Sequence, residues 1–264
     1  MAPRSYTFSH AVTRRPSAAI VDGLRAVDLG APDLATFMQH HKDYVAALKS
    51  TGAEVLELAE LEAFPDSVFV EDAALCLQQA AILMRPGAPS RLDEAQQMRP
   101  VLEKIYGSVL AIEGPGTIEG GDILVTEREI LVGRSERTGA AGIAELEAQV
   151  TPLGYQLREV HTPPGVLHFK TDCSLLDHTT ILATARLAAS GCFEGYDVIE
   201  TADGEEACAN AIRFNQIVLF PAGFPKTLAK LHAAGYSVVE IGNSEAAKLD
   251  GGMSCLSLRF SPQG

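Results

Sequence analysis

The chain has 264 residues, of which 47% are hydrophobic and 21% charged, and its formal net charge is −13. This length suits one large or two small domains with a buried core, and the acidic balance argues against nucleic acid or an anionic membrane surface as a partner, since both attract clustered Lys and Arg. The five cysteines include no Cys-x-x-Cys pair, which argues against a disulfide framework or a structural zinc site.

Helical and extended patterns alternate along the chain, which is typical of an α/β protein. Apolar residues at helical spacing predict a helix over 33–51, ended by Gly52, and a short strand over 55–58. Further helices are predicted over 90–106, with a break at Pro100, over 140–150, and over 226–234, where Gly235 ends the helix before a strand over 236–241. Residues 14–32 fit no regular element, and two interpretations stay open for them: a lid over an active site, or a plain surface loop.

Two short apolar strands joined by a tight turn recur along the chain. This pattern occupies residues 69–84, 119–133, 168–183 and 207–220, and a strand over 253–260 has no partner after it. A strand near residues 6–12 could complete this fifth unit. Repetition at a period of about 40–50 residues is typical of arrays and propellers. If five units surround an axis, their first strands bring together Glu71, Asp72, Glu119, His168 and Cys255.

A thiol, an imidazole and carboxylates at one point have the composition of a site with a cysteine nucleophile. Cys255 follows two glycines that let the backbone approach a ligand, although a buried core cysteine is the alternative. His168 occupies the same place in its repeat, and Glu119 could orient its imidazole. Six other histidines leave a purely structural role open for His168.

The acids Glu71 and Asp72 stand next to each other in an apolar strand. Because neighbouring strand residues point to opposite faces, one acid must face inward or the strand must bend. A buried carboxylate needs a partner, which could be a cationic ligand or an Arg of the protein. The arginines of the segment 85–91 and of the equivalent segment 134–137 suit carboxylate recognition, with solvated loop arginines as the alternative.

Several motifs together resemble the dimethylarginine dimethylaminohydrolases of the guanidine-modifying pentein superfamily. The resemblance runs from near residue 10 to residue 260 and is carried by PDSVFVED at 65–72, RPGAPSR at 85–91, EGGD at 119–122, Arg137-Thr, LHFK at 167–170 and DGGMSC at 250–255. It implies a five-bladed α/β propeller of ββαβ units around a pseudo-fivefold axis, with the N- and C-terminal strands in one blade. A single domain over 1–264 with a lid at about 14–32 is expected.

The resemblance also implies roles for individual residues. Cys255 matches the nucleophile, His168 the general acid and base, and Glu119 the acid that supports the hydrogen bonding of the site. The residues matched to substrate binding are Asp72 and Glu71 for the guanidinium, Asp66, Arg91 and Arg137 for the amino-acid end, and Leu24 and Leu249 for backbone contacts.

The expected reaction is hydrolysis of an Nω-methylated arginine to citrulline and a methylamine through a covalent Cys255 intermediate, without cofactor or metal. The segment His168-Phe169-Lys170 distinguishes the chain from arginine deiminases, which carry His-x-Asp there. An arginine deiminase or another amidinohydrolase of the same fold is the alternative enzyme, and a non-catalytic pentein binding module is the alternative of another class.

The expected partner is a small cationic guanidino amino acid, with neither nucleic acid nor membrane involved, and a homodimer is the assembly to test. The negative charge is compatible with steering such a cation, although solubility alone would explain it. No apolar run approaches the length of a membrane span, and the N-terminus lacks the layout of a secretory signal, so a cytoplasmic location is expected.

Overall fold

The computed structural model describes residues 5–164 and 166–263. Its strands are β1 His10–Arg14, β2 Glu54–Leu58, β3 Ala74–Cys76, β4 Ala81–Leu83, β5 Val109–Ala111, β6 Ile123–Val125, β7 Ile130–Arg134, β8 Leu157–His161, β9 Cys173–Leu175, β10 Thr180–Ala183, β11 Asp197–Glu200, β12 Ile212–Phe214, β13 Ile217–Pro221, β14 Val238–Ile241 and β15 Leu258–Phe260. The α-helices are α1 Leu34–Ser50, α2 Leu92–Gln96, α3 Arg99–Tyr106, α4 Ala140–Val150, α5 Ala185–Ala188, α6 Pro225–Ala233 and α7 Ser244–Ala247.

The strands form five three-stranded sheets within the described residues, in the orders β15-β1-β2, β3-β4-β5, β6-β7-β8, β9-β10-β11 and β12-β13-β14. Each sheet contains one antiparallel pair and one parallel strand, which a helical connection places beside the middle strand. The two ends of the chain meet in the first sheet, where His10 pairs with Phe260 and Val12 with Leu258. The predicted ββαβ repeat is therefore present in five copies.

Most predicted helix boundaries agree with the structure to within one residue. Helix α1 begins after Asp33, whose side chain accepts a hydrogen bond from the Thr36 amide, and it ends before Gly52, which has a φ of +89°. The break predicted in the helix over 90–106 lies at residues 97–98, and Pro100 lies in the first turn of α3 rather than interrupting it.

The predicted first strands of the repeats begin too early. In each unit a short 3-10 helix precedes the strand instead, and the strand itself has only three residues. These 3-10 helices are Val70–Ala73, Gly120–Asp122, Phe169–Thr171, Glu206–Ala209 and Ser254–Leu256. The bend lets both Glu71 and Asp72 be buried, at 3% and 4% exposure, where a straight strand would bury only one.

Buried apolar clusters lie between consecutive sheets. One cluster joins β1 and β15 to β3 and β4, a second joins β3 and β4 to β6 and β7, and a third joins β6 and β7 to β9 and β10. The fourth joins β10 to β13, and the fifth joins β12 and β13 to β1. The first and last units thus share a core with each other as well as with their sequence neighbours.

Among the described residues, no helix has both the length and the apolar character needed to cross a membrane.

Candidate active site

The five 3-10 helices precede the first strand of each repeat (the inner strands), and with the residue before each helix they contain five of the ten predicted site residues. Neighbouring members contact one another: Val70–Ala73 contacts both Gly120–Asp122 and Ser254–Leu256, and Phe169–Thr171 contacts both Gly120–Asp122 and Glu206–Ala209. Residues separated by more than 180 positions are thereby placed side by side, as the contact between Glu71 and Ser254, 183 residues apart, illustrates.

His168 and Glu119 form a short hydrogen bond, with 2.5 Å between Nε2 and Oε2. Glu119 is fully buried, and its other oxygen accepts a hydrogen bond from the Gly87 amide at 2.8 Å. Burial alone would lower the pKa of His168, but the carboxylates of Asp72, Glu119 and Asp122 outweigh it and raise that pKa to about 9. The imidazole is therefore a cation at neutral pH and can act as a general acid.

The pKa of the Glu119 carboxyl is shifted in the opposite direction from that of His168. Burial favours its neutral form, yet the hydrogen bond and charge of His168, together with Arg91 and Arg137, lower the pKa of Glu119 to about 2. Gly121 makes room for this arrangement, since a Cβ there would lie 2.8 Å from Asp72 Oδ1 and 3.1 Å from His168 Cγ. Glu119 and His168 thus form a charged pair above acidic pH.

Asp72 lies beside this pair. Its Oδ1 accepts from the Gly121 amide at 2.9 Å, and its Oδ2 receives the Arg91 guanidinium at 2.6 Å. One ligand atom each of Asp72, Glu119 and His168 lie within 4.8 Å of one another, which is close enough for a shared metal ion. In the described structure these atoms are committed to one another, to Gly121 and to Arg91 by hydrogen bonds.

The thiol of Cys255 is half-buried on the 3-10 helix Ser254–Leu256. Burial raises its pKa, the carboxylates of Glu71 and Asp72 add to the effect, and the pKa of Cys255 reaches about 12. Asp72 thus acts electrostatically on both Cys255 and His168, so the three predicted groups lie close enough for their charges to interact. The thiol is protonated at neutral pH unless a cation approaches it.

Glu71 is held by the protein on every side. Its Oε1 receives Lys170 at 2.5 Å and Arg259 at 2.6 Å, and its Oε2 accepts the Ser254 hydroxyl at 2.6 Å. Burial would raise the pKa of Glu71, but Lys170 and Arg259 reverse this and lower it. Its charge is therefore neutralised internally, whereas Asp72 has a single cation on one oxygen.

Sequence reasoning missed these partners of Glu71. In the sequence, Lys170 stands out only within the LHFK segment, which does not indicate its partner, and Arg259 stands in an apolar strand between two buried residues. A cation in such a position needs a buried acid, so Arg259 carried a usable signal.

A cavity of about 470 Å³ is lined by Glu71, Lys170, Ser254 and Arg259 but not by Cys255, His168 or Asp72. The Glu71 cluster therefore separates this cavity from the candidate reaction centre.

The residues predicted for the amino-acid end of a substrate lie close by but are not equally available. Arg91 is 5% exposed and donates to Asp72, to Glu94 and to the Phe69 carbonyl. Arg137 is more open, with 26% of its side chain exposed and its guanidinium 3.6 Å from Glu119. Of the two, Arg137 has the more accessible donors.

Asp66, Leu24 and Leu249 lie together at one edge of the site. Asp66 Oδ1 accepts from the Leu24 amide at 2.9 Å, and burial raises the pKa of Asp66. A Cβ added at Gly23 would lie 3.1 Å from Asp66 Oδ1 and 3.2 Å from Leu249 Cδ1, so the segment passes closely over both residues. All ten predicted site residues thus fall in one region or on its margin.

Comparison with known proteins identifies relatives of nearly the same length. A family profile described as N,N dimethylarginine dimethylhydrolase, eukaryotic, matches residues 33–187. A protein of Pseudomonas aeruginosa named N(G),N(G)-dimethylarginine dimethylaminohydrolase is 39% identical over 254 residues, which cover 96% of this chain and 100% of the relative. A protein of the same name from Streptomyces coelicolor is 34% identical, covering 95% of this chain and 96% of the relative.

Solved structures agree with these relationships. A Cys-to-Ser mutant of the P. aeruginosa protein complexed with citrulline superposes with a TM-score of 0.93 at 39% identity, covering 97% of this chain and all of that one. The N-terminal domain of ArgZ, an arginine dihydrolase of cyanobacteria, has a TM-score of 0.82 at 20% identity over 96% of this chain and 99% of that one. The latter likeness concerns the fold alone.

Proposed function

Since the chain belongs to the dimethylarginine dimethylaminohydrolase family, we propose that the site at Cys255, His168 and Glu119 hydrolyses an Nω-methylated arginine to citrulline and a methylamine. The observation that carries this assignment is the hydrogen bond of His168 to the buried Glu119, with Asp72 placed to act on both His168 and Cys255. These carboxylates favour a cationic substrate, and the imidazolium supplies a proton to a departing amine.

Substrate binding activates the nucleophile in this proposal. The guanidinium lies against Asp72 and next to the sulfur, where its charge offsets the effect of the carboxylates on the Cys255 thiol. The thiol proton leaves to solvent, and the thiolate attacks the central guanidinium carbon. Binding and activation are then one event, so the thiol of the free enzyme reacts only slowly at neutral pH.

His168 acts twice. Its imidazolium gives a proton to the methylated nitrogen as the bond between carbon and that nitrogen breaks, which leaves an S-alkylthiouronium on Cys255. The neutral imidazole then removes a proton from water, the resulting hydroxide adds to the same carbon, and the C–S bond breaks to release citrulline. Glu119 keeps the imidazole oriented and charged for the first step. No cofactor takes part in this sequence.

The remaining site residues are proposed to contact different parts of the substrate or to support the site. Asp72 meets the guanidinium, while Glu71 keeps the Cys255 turn in place through Ser254. Arg137 receives the carboxylate of the substrate, and Asp66 with the backbone of Leu24 and Leu249 lines the amino-acid end. Arg91 joins the carboxylate contact if it exchanges part of its bonding to Glu94.

Residues 14–32 act as a lid in this proposal. The Leu24 amide donates to Asp66, and the Ala26 amide donates to Asp250 at 2.6 Å, so two site-edge carboxylates hold the segment closed. Val27 and Leu29 within it are 62% and 66% exposed, which indicates a segment without a core of its own. Ile20 anchors the start of the segment in the core, so opening moves the residues from Leu24 onward and breaks these two bonds and the one from Lys248 Nζ to the Ala31 carbonyl.

The same proposal includes the whole-chain architecture. The five inter-sheet cores support closure of the units into a five-bladed propeller, with residues 1–264 as a single domain in which the two chain ends share a blade. We also propose that the protein forms a homodimer and is located in the cytoplasm.

The decisive experiment is mass spectrometry of the enzyme quenched during turnover of dimethylarginine. A thiouronium adduct on Cys255 with release of dimethylamine is expected, and C255S should bind the substrate but form neither adduct nor product. Arginine as substrate is the control, since ammonia release from it at a comparable rate would mean a deiminase instead. An adduct on another cysteine would contradict the assignment of the nucleophile.

A further inference from the structure

Asn210 lies beside the candidate nucleophile although no sequence pattern singled it out. It follows the 3-10 helix Glu206–Ala209 of the fourth unit and is 6% exposed. That unit contributes none of the predicted site residues. A buried amide in this place needs partners for both its oxygen and its nitrogen.

The side-chain amide of Asn210 contacts the loop that leads to Cys255. Its Oδ1 accepts from the Ser254 amide at 2.8 Å, and its Nδ2 faces the Cys255 sulfur at 4.0 Å. Because the Ser254 amide can only donate, it fixes which end of the side chain is oxygen and leaves the NH₂ group towards the sulfur. Gly252 packs on the same side chain, since a Cβ there would come within 2.3 Å of Asn210 Cγ.

The surroundings of the sulfur show why a donor matters there. Glu71 and Asp72 oppose a negative charge on Cys255, and the donors directed at the sulfur among the described residues are the Gly252 amide, at 3.4 Å, and Asn210 Nδ2. A neutral amide assists a thiolate without competing with the guanidinium for the carboxylates. A Lys or Arg in this place would itself pair with these carboxylates.

We propose that Asn210 is a positioning residue of the reaction: its Oδ1 fixes the turn that carries Cys255, and its Nδ2 donates to the sulfur as the thiolate forms. This role rests on the proposed function, because it serves a nucleophilic Cys255. Glu71, in the 3-10 helix Val70–Ala73, holds the same turn through the Ser254 hydroxyl. The turn that carries Cys255 is therefore fixed by hydrogen bonds from two other units of the chain.

The test compares two variants of Asn210 by the rate of iodoacetamide alkylation of Cys255 between about pH 7 and pH 10, read at its peptide by mass spectrometry. N210A removes both contacts, while N210D keeps an oxygen for the Ser254 amide and replaces the donor by a second oxygen. Alkylation is expected to slow by about ten-fold or more in both, corresponding to roughly one pKa unit or more. In turnover, kcat should fall by a similar factor while KM changes by no more than about three-fold.

Each other outcome overturns the proposal. Normal alkylation in N210D with slow alkylation in N210A would mean a structural role only, and the reverse would mean a charge effect without a donor. The matched control is N243A, which removes an amide that donates to the Gly251 carbonyl at 3.0 Å on the same loop. N243A should alkylate like the wild type; equal slowing would show general loosening of the loop.

The alkylation measurement does not depend on the identity of the substrate. If the wild type fails to turn over methylated arginine, the proposed function fails while the Asn210 test stands. If the wild type is active and the Asn210 variants match it in both alkylation and kcat, the positioning role alone is refuted.

Discussion

At the scale of single residues, the pairing of charges decides what each acid can do. Glu71 and Asp72 are neighbours in sequence, yet Glu71 is bound by Lys170, Arg259 and Ser254 while Asp72 has Arg91 on one oxygen. Glu119 is committed to His168. The three buried carboxylates therefore differ in how far their charge is neutralised, because different cations reach them.

The substitution E119Q tests the electrostatic role of Glu119. A neutral amide cannot support the imidazolium as a carboxylate does, so the pKa of His168 should fall from about 9 towards its ordinary value of 6.5. Because the first step of the proposed mechanism needs protonated His168, the alkaline limb of kcat/KM against pH should move to lower pH by about one unit or more. An unchanged alkaline limb would remove Glu119 from this role.

Stability should depend on pH through the same pair. The raised pKa of His168 contributes stability that is fully present below 6.5 and is lost as the pH rises through about 9. The lowered pKa of Glu119 contributes stability that is present above 4.5 and is lost as the pH falls through about 2. Thermal unfolding should therefore show the largest advantage of wild type over E119Q between 4.5 and 6.5, shrinking towards pH 9.

At the scale of elements, the short 3-10 helices before the first strand of each unit bring the candidate catalytic groups together. Their close packing requires small residues: a Cβ at Gly120 would lie 1.9 Å from the backbone oxygen of Glu71. The backbone of one inner turn thus rests directly on the next, and the acid pair of one unit meets the Glu119–His168 pair through this contact.

G120A is expected to separate these two turns. Backbone atoms on both sides cannot yield, so we expect a loss of about 3 kcal/mol or more in the free energy of unfolding, measured by urea denaturation. G139A is the matched control, because a Cβ at Gly139 meets nothing within 4 Å, and its effect should be about 1 kcal/mol or less. Similar losses in the two variants would argue against close packing of the turns.

At the scale of the whole molecule, the pairing of the chain ends couples the first unit to the last. Phe260 in β15 is 2% exposed and packs in the core shared with β3 and β4, with its ring 5.6 Å from that of Tyr106. If the units close into a ring, loosening this blade should weaken all of them together, since each core depends on two sheets.

F260A should cost about 3–5 kcal/mol of unfolding free energy, whereas L110A, at a side chain that is 43% exposed, should cost about 1 kcal/mol or less. Urea unfolding of F260A followed by circular dichroism and by Cys255 alkylation should give one coincident transition. Separate transitions would show that the blade of the chain ends unfolds alone and that closure adds no cooperativity.

Local patterns in the sequence predicted the longer helices, the strand pairs and the repeat, and they suggested the candidate reactive groups. Helical periodicity, Asp33 and Gly52 specify α1 through neighbours only a few residues away, and the motifs around His168 and Cys255 indicate the chemistry. The same patterns could not show the 3-10 bends, because their apolar residues also fit a strand.

Only the tertiary structure decided the partners of the charged and polar groups. Lys170 and Arg259 reach Glu71 across 99 and 188 residues, and Asn210 reaches the nucleophile turn across 44. Periodicity reports which side of an element is buried, but it carries no information on which distant side chain will be met there. That depends on how the sheets pack. The packing decides which cation each buried acid meets and hydrogen-bonds.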